Sequence, residues 1–223
     1  MRPNGIIIAI DGPTASGKSS TAHELAGRLG YKHLNTGAMY RAFALYCSEW
    51  GITDPKSHEV AKLLERVYID IDENEQILLE GRDVSSEIVL PAIAQLASAL
   101  AARPDVRKKM VELQREIARN GGVVLDGRDI GTVVFPDAEL KIFLVASPAV
   151  RAERRFKELI AQGIAADSKL LQKDIEERDR RDIEREISPL RKADDAIEID
   201  TSMLTFDAQV AEIASLARAR VAA

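Results

Sequence analysis

Apolar and polar positions along the chain fall into two patterns, short apolar runs and stripes at helical spacing. Residues 6–10 are five consecutive apolar positions, four of them isoleucine. An apolar run on both faces predicts a central parallel strand covered by helices on each side. It ends at Asp11-Gly12. Beyond a glycine-rich stretch, Ala22, Leu25, Ala26 and Leu29 recur at helical spacing, with Gly30 as a C-terminal stop. Residues 31–34 predict a second short strand. Thr36 reads as the N-cap of a helix whose stripe is Met39, Ala42, Phe43, Tyr46, Cys47 and Trp50, closed by Gly51. Residues 123–125, 140–145 and 196–199 supply three further strands, and Val210, Ile213, Ala214, Ala217 and Val221 share one face of a final helix. Five strands, most of them separated by helices, predict an α/β fold with a parallel sheet and right-handed crossovers.

One region interrupts this rhythm. A helix over Glu59–Arg66 leads to two strands at 67–72 and 76–80, joined by the turn residues Glu73, Asn74 and Glu75. Helices at 91–102 and 105–119 follow, and Gly121-Gly122 marks the return to the main pattern. This reads as an inserted subdomain. Residues 172–192 hold seven basic and seven acidic side chains with little apolar content, which predicts a solvent-exposed helix. The chain has no internal repeat, low-complexity tract or linker.

Composition narrows the function. With 31 Lys and Arg against 36 Asp and Glu, the formal charge of −5 argues against a wide phosphate-backbone footprint. Ten aromatics in 223 residues leave few stacking platforms for single-stranded nucleic acid. The single cysteine, Cys47, cannot form an internal disulfide, and no CxxC or Cys/His cluster suggests structural zinc. A reducing cytoplasm is the expected compartment. The opening MRPNGIIIAIDG is too short in apolar residues for a signal-peptide core or a membrane span, so no membrane partner is expected.

GPTASGKS, residues 12–19, matches the P-loop pattern GxxxxGK[ST] between an apolar strand and an amphipathic helix. The glycines let the backbone of Gly12, Pro13, Thr14, Ala15, Ser16 and Gly17 turn its N–H groups toward phosphate oxygens. The helix N-terminus at Lys18, Ser19 and Ser20 adds partial positive charge. Lys18 is expected on the β and γ phosphates and Ser19 on Mg²⁺. A P-loop alone does not choose between kinases, switches and transferases. The absence of NKxD or TKxD downstream counts against a GTPase switch.

A second site is suggested by VVLDGRDIGTVVFPDA, residues 123–138, which places two aspartates and an arginine after a buried strand, where open α/β sheets bind ligands. Taken alone, Asp126-Gly127-Arg128-Asp129 also has a blander reading as a polar turn. TGAMYR (36–41) and ERDRRDIER (177–185) add further arginines. Together with LEGRDVS (79–85) and the continuation to ERDRRDIEREISPLRKADDA, these motifs resemble the bacterial cytidylate kinases nearly end to end. The chain departs from many members by reading GKSST where they have a GKG or GKGT ending, a spelling that keeps the hydroxyl. GPTASGKS also resembles the opening of P-loop tRNA prenyltransferases, against which the acidic balance, short length and DGRDIGTVVFPDA speak.

The resemblance implies a P-loop three-layer core (1–35, 120–150, 190–223), a monophosphate-binding insert (36–119) and a helical lid (151–189). It implies transfer of the γ-phosphoryl group of ATP to CMP or dCMP with Mg²⁺, in a monomer. By matching motif, Arg41 and Arg128 would grip the CMP phosphate, with Thr36 also in the acceptor site. Ser98, Arg107 and Asp129 would read the cytosine edge. Arg178 and Asp182 would contact the sugar, and Arg185 would reach the transferring phosphates. Lys18, Arg128, Arg178 and Arg185 would thus carry the catalysis. If the charged segment is helical, Arg178, Arg181, Asp182 and Arg185 share one face. His23, His33 and His58 lie far apart in sequence without ligand spacing, and read as surface or partly buried residues. Cys47 reads as core, and Tyr40 either lines the acceptor pocket or packs.

Overall fold

The computed structural model describes residues 2–72, 74–161 and 163–221. In chain order the strands are β1 (Ile7–Asp11), β2 (Lys32–Asn35), β3 (Ile69–Ile71), β4 (Ile77–Leu79), β5 (Arg82–Asp83), β6 (Val123–Asp126), β7 (Leu140–Val145) and β8 (Ile197–Asp200). The helices are α1 (Lys18–Leu29), α2 (Thr36–Glu49), α3 (Glu59–Arg66), α4 (Pro91–Leu100), α5 (Pro104–Ile117), α6 (Pro148–Ala161), α7 (Ser168–Glu184) and α8 (Phe206–Val221). Five strands form one parallel sheet in the order β2-β6-β1-β7-β8. The expected α/β sheet is present.

Alternation along β1 explains why it is apolar throughout. Ile7 and Ala9 enter one core, with Leu34, Val123, Leu125 and the buried face of α2. Ile6, Ile8 and Ile10 enter the other, with Ala22 and Leu25 of α1 and Val210, Ile213 and Ala214 of α8. Successive side chains of a strand point to opposite faces, so a central strand must satisfy two cores at once. Each fully buried isoleucine contributes roughly 1.5–3 kcal/mol. The register aligns Ile10 of β1 and Asn35 of β2 with Asp126 of β6, so these three strands end at the same level.

Between β2 and β6 the chain forms a second, three-stranded antiparallel sheet, β3-β4-β5. Two of these strands are legible from sequence, and β5 is the addition. It follows a two-residue turn in which Glu80 (φ 50°) and Gly81 (φ 78°) both take positive φ, the geometry that matches hairpin twist. Glu73, the first of the expected turn residues between β3 and β4, lies outside the described residues. Ile69, Ile77 and Leu79 join the same core as Ile7 and Phe43, so the small sheet packs continuously with one face of the large one.

Three local expectations change. The N-cap of α2 is Asn35, whose side chain accepts from the Ala38 N–H at 2.9 Å, and Thr36 is the first helical residue. An amide oxygen caps the helix as well as a hydroxyl would, which leaves the Thr36 hydroxyl free to donate to the Asp126 carbonyl at 2.7 Å. Trp50 lies beyond the end of α2 and Val221 at the end of α8, and both are exposed although periodicity placed them on apolar stripes. Cys47 is buried in the core as expected, and burial raises its thiol pKa to about 11.

Candidate active site

The level ends of β1, β2 and β6 open onto one cleft. After β1, Gly12 takes φ 147°, and a Cβ there would lie 2.1 Å from the Leu144 carbonyl oxygen, so only glycine lets the loop pass so close to β7. The loop ends at Gly17, and α1 begins at Lys18. The Lys18 ammonium turns inward, donating to the Pro13 carbonyl at 2.5 Å and to the Ser16 hydroxyl at 3.3 Å. Burial, followed by the charge of nearby Arg128, holds its pKa well below the usual lysine value. A dense negative charge in the loop would reverse that balance.

Two buried carboxylates flank the lysine. Asp11, at the end of β1, accepts from the N–H groups of Ile130 and Gly131, each at 2.8 Å. Burial outweighs these bonds and raises its pKa to about 6. Asp126, at the end of β6, accepts from the Ser19 hydroxyl at 2.5 Å and lies 2.8 Å from His33 Nε2. Burial opposes its ionisation, but the His33 and Ser19 contacts and the Lys18 charge prevail and hold its pKa below the usual range.

The turn after β6 packs tightly. A Cβ on Gly127 would meet Ile130 Cδ1 at 2.6 Å and the Thr36 hydroxyl at 2.9 Å. After Asp129 the chain forms a π-helical turn over Ile130–Val134, with the Val134 N–H donating to the Asp129 carbonyl at 3.2 Å. Such turns are rare and concentrate at functional sites. This one aims two backbone N–H groups at Asp11 while the Asp129 side chain faces the opposite partners.

Those partners are arginines. Asp129 forms a buried ion pair with Arg107 of α5 and lies 3.4 Å from Arg185. Arg107 sits 5.7 Å from the ring centre of Tyr40, so Tyr40 both packs on the core and floors this group. Burial raises the Tyr40 pKa to about 12, keeping the phenol neutral. Arg128 donates to Asp182 of α7 at 2.8 Å and to the Thr14 hydroxyl at 3.0 Å. Arg41, on α2, has its Nε buried without a partner among the described residues. Burial and the charge of Arg128 both lower its pKa, while Asp126 partly offsets them. Arg178 is depressed by desolvation and then by Arg128, although its side chain retains an exposed face. Three guanidinium groups thus lie within electrostatic reach of one another beside Lys18.

The charged helix expected at 172–192 is part of α7, which packs on α6. It ends at Glu184, and Arg185 is the first extended residue beyond it, donating to the Ser188 carbonyl at 2.5 Å. Arg178 and Asp182 face the cleft. Arg181 does not: it is exposed and pairs with Glu177 one turn earlier, so the expected four-residue face loses that member. Ser98 is half-buried on α4, which packs against α2, and Ser20 is exposed in the first turn of α1. The cleft brings Lys18, Ser19, Thr36, Arg41, Arg107, Arg128, Asp129, Arg178, Asp182 and Arg185 together around the three strand ends.

Sequence reasoning missed the pair that fastens α7 to the P-loop. Asp179 accepts from the Thr14 N–H at 2.8 Å and forms a buried ion pair with Arg151 of α6, which also donates to the Thr14 carbonyl at 2.9 Å. Nothing in the local pattern separates Asp179 from its charged neighbours. The roles of Asp11 and Asp126 were also unassigned, although each follows directly on a buried apolar run, and that position was the available signal.

A family model described as cytidylate kinase matches residues 8–219. The chain is 49% identical over 217 residues to a cytidylate kinase of Cytophaga hutchinsonii, covering 95% of this chain and 93% of that one. It is 47% identical over 212 residues to one from Lactobacillus johnsonii, covering 94% and 92%. With one from a Geobacillus species the identity is 45% over 221 residues, covering 98% and 99%. A crystal structure of an uncharacterized protein from Eubacterium ventriosum shares the fold, with a TM-score of 0.52 at 16% identity over 96% of this chain and 98% of that one. The motifs around the three strand ends and the match along nearly the whole length agree, and the chain belongs to the cytidylate kinase family.

Proposed function

We propose that the activity this family membership gives the chain, transfer of the γ-phosphoryl group of ATP to CMP or dCMP, is carried by the cleft at the ends of β1, β2 and β6. The observation that carries the residue assignment is the cluster of Arg41, Arg128 and Arg178 beside Lys18. Burial and the Arg128 charge act against Lys18, Arg41 and Arg178, and the Arg41 Nε is buried without a partner among the described residues. Buried polar groups are almost always paired, so this arrangement calls for an anion. Guanidinium forks bind phosphate oxygens bidentately and keep their charge.

In this reading the polyphosphate of ATP lies in residues 12–20, with Lys18 on the oxygens nearest the transferred group. Arg41 and Arg128 hold the CMP phosphate, Thr36 supports the turn behind them, and Arg178 and Asp182 meet the sugar. Arg185 reaches between the two phosphates. Asp129, oriented by Arg107, faces the base with Ser98. Cytosine presents an amino donor that a carboxylate accepts, whereas uracil would present a carbonyl, and a buried mismatch of that kind discriminates strongly. The acceptor is already a phosphate anion, so no general base is needed; alignment and charge neutralisation do the work. Transfer breaks the bond from the γ phosphorus to its bridging oxygen and forms one to a CMP phosphate oxygen.

The oxygen donors fit Mg²⁺. Because the Ser19 hydroxyl donates its hydrogen to Asp126, its lone pairs remain for a hard cation, and Asp11 is a second buried carboxylate beside the loop. Bound there, the ion would supply charge neutralisation on the β and γ phosphates. The core, insert and lid are assigned to the ranges expected from sequence, supported by the separate β3-β4-β5 sheet within 36–119 and the contact of α7 with Thr14. A monomer in a reducing cytoplasm is the proposed working state, in keeping with a single cysteine, Cys47, that is free and buried. No helix among the described residues is long and apolar enough to cross a membrane.

The test is ADP production from ATP and Mg²⁺ with CMP, dCMP, UMP and AMP in parallel, for the wild type and Asp129→Asn. CMP and dCMP should be the best acceptors of the wild type, and the variant should lose preference over UMP more than affinity for ATP. Equal turnover of CMP and AMP by the wild type would overturn the assignment.

A further inference from the structure

The fold brings together two of the three histidines that lie far apart in sequence. His23 of α1 and His33 of β2 have ring centres 6.0 Å apart, and Glu75, in the turn between β3 and β4, reaches both. Its Oε2 lies 2.7 Å from His23 Nδ1 and 3.1 Å from His33 Nδ1, and the three ligand atoms all lie within 4.8 Å of one another. None of the three residues has a role in phosphoryl transfer.

The chemistry of His33 decides what this cluster needs. Its Nε2 lies 2.8 Å from Asp126 Oδ1, and an ionised carboxylate only accepts, so the Nε2 hydrogen is committed to Asp126. In neutral His33 the Nδ1 is then a lone pair pointing at another acceptor, Glu75 Oε2. A positive centre between them resolves the conflict. Neutral His23 can already donate its Nδ1 hydrogen to this oxygen, and one extra proton on His33 would let that ring donate too; a metal ion differs in taking both nitrogens and the oxygen together. A histidine that donates its far nitrogen to a carboxylate while its near nitrogen faces the metal is the usual support of a zinc ligand. Tetrahedral Zn²⁺ with bonds near 2.0–2.1 Å separates its ligand atoms by about 3.3 Å; here Glu75 Oε2 lies 2.7 and 3.1 Å from the two nitrogens, and the nitrogens lie within 4.8 Å of each other. A cavity of about 210 Å³ lined by His23, His33 and Glu75, with Asn35 and Ser85 on its wall, leaves room for a water as the fourth ligand.

We propose that His23 Nδ1, His33 Nδ1 and Glu75 Oε2 form a site for a divalent ion of the zinc class, tying the inserted sheet to α1 and β2. The ion would sit two residues removed from the nucleotide loop, since Asp126 accepts from both His33 and Ser19. It would fasten the β3–β4 turn to the core.

The test is a titration of tag-free, chelator-treated protein with Co²⁺ in the absence of nucleotide, followed by its visible ligand-field absorption, then displacement by Zn²⁺. One equivalent should bind with the intense bands of tetrahedral coordination, and Zn²⁺ should abolish them. His23→Ala and Glu75→Gln should each weaken binding at least about tenfold, while CMP-dependent turnover measured without added Co²⁺ or Zn²⁺ stays at the wild-type level. Absence of the bands, or equal binding by wild type and both variants, would overturn the proposal.

Discussion

Burial and a neighbouring guanidinium both act against the charge of Lys18, which makes this lysine a strained element of the free protein. Lys18→Met removes a desolvated cation while keeping the apolar stem. Turnover is expected to fall at least about 100-fold, the scale of losing one preorganised charge-stabilising group, with a melting temperature equal to or above wild type. A stable variant with near-normal turnover would remove Lys18 from the phosphate site. Asp11 offers a second residue-level test. Its folded pKa of about 6 exceeds the ordinary value of 3.8, so the folded state binds the proton more tightly than the unfolded chain. Its contribution to stability is therefore complete below about pH 4 and is lost as the pH rises through 6, by about 3 kcal/mol. Asp11→Asn should flatten that part of the stability profile in urea unfolding. An unchanged slope would mean that another group titrates there. These tunings are invisible in the sequence, because they depend on what the fold places around each side chain.

At the scale of elements, the capping of α2 sets the position of Arg41, proposed to hold the acceptor phosphate. Asn35 ends β2 and caps α2, and Arg41 follows one and a half turns later on the same helix. Asn35→Ala should cost about 1 kcal/mol of stability and raise KM for CMP more than KM for ATP, because α2 carries an acceptor residue and none of the P-loop. Equal changes in both would show that the cap acts only on global stability. Strand positions were legible here because β1, β6 and β7 are buried on both faces, and that condition writes itself into an unbroken apolar run. By contrast, β5 is two exposed residues and carries no hydrophobic signal, and the π-helical turn at 130–134 depends on Asp11 accepting two N–H groups from more than a hundred residues away. Thr36 was assigned the capping role because a hydroxyl suits it, and only the actual start of the helix chose Asn35.

At the scale of the molecule, α7, the helix of the proposed lid, is fastened mainly by charge. Asp179 holds the Thr14 N–H and Arg151, Asp182 holds Arg128, and Ile175 is the buried apolar residue α7 contributes. Removing one member of a buried pair leaves the other uncompensated, at roughly 3–5 kcal/mol. Asp179→Ala should therefore lower hydrogen-exchange protection across α7 by about a hundredfold or more, the equivalent of about 3 kcal/mol, while β1 and β6 keep theirs. Uniform loss across the sheet would instead mark Asp179 as part of the global fold. The sequence alone determined the parallel α/β core, the phosphate loop and the family, because two-sided burial and glycine-dependent backbone turns restrict residue type locally. The tertiary structure decided which charges converge. The meeting of Asp11 with residues 130–131, of Asp179 with Thr14, and of His23 and His33 with Glu75 joins distant segments, and such pairings leave no periodicity for a local reading to find.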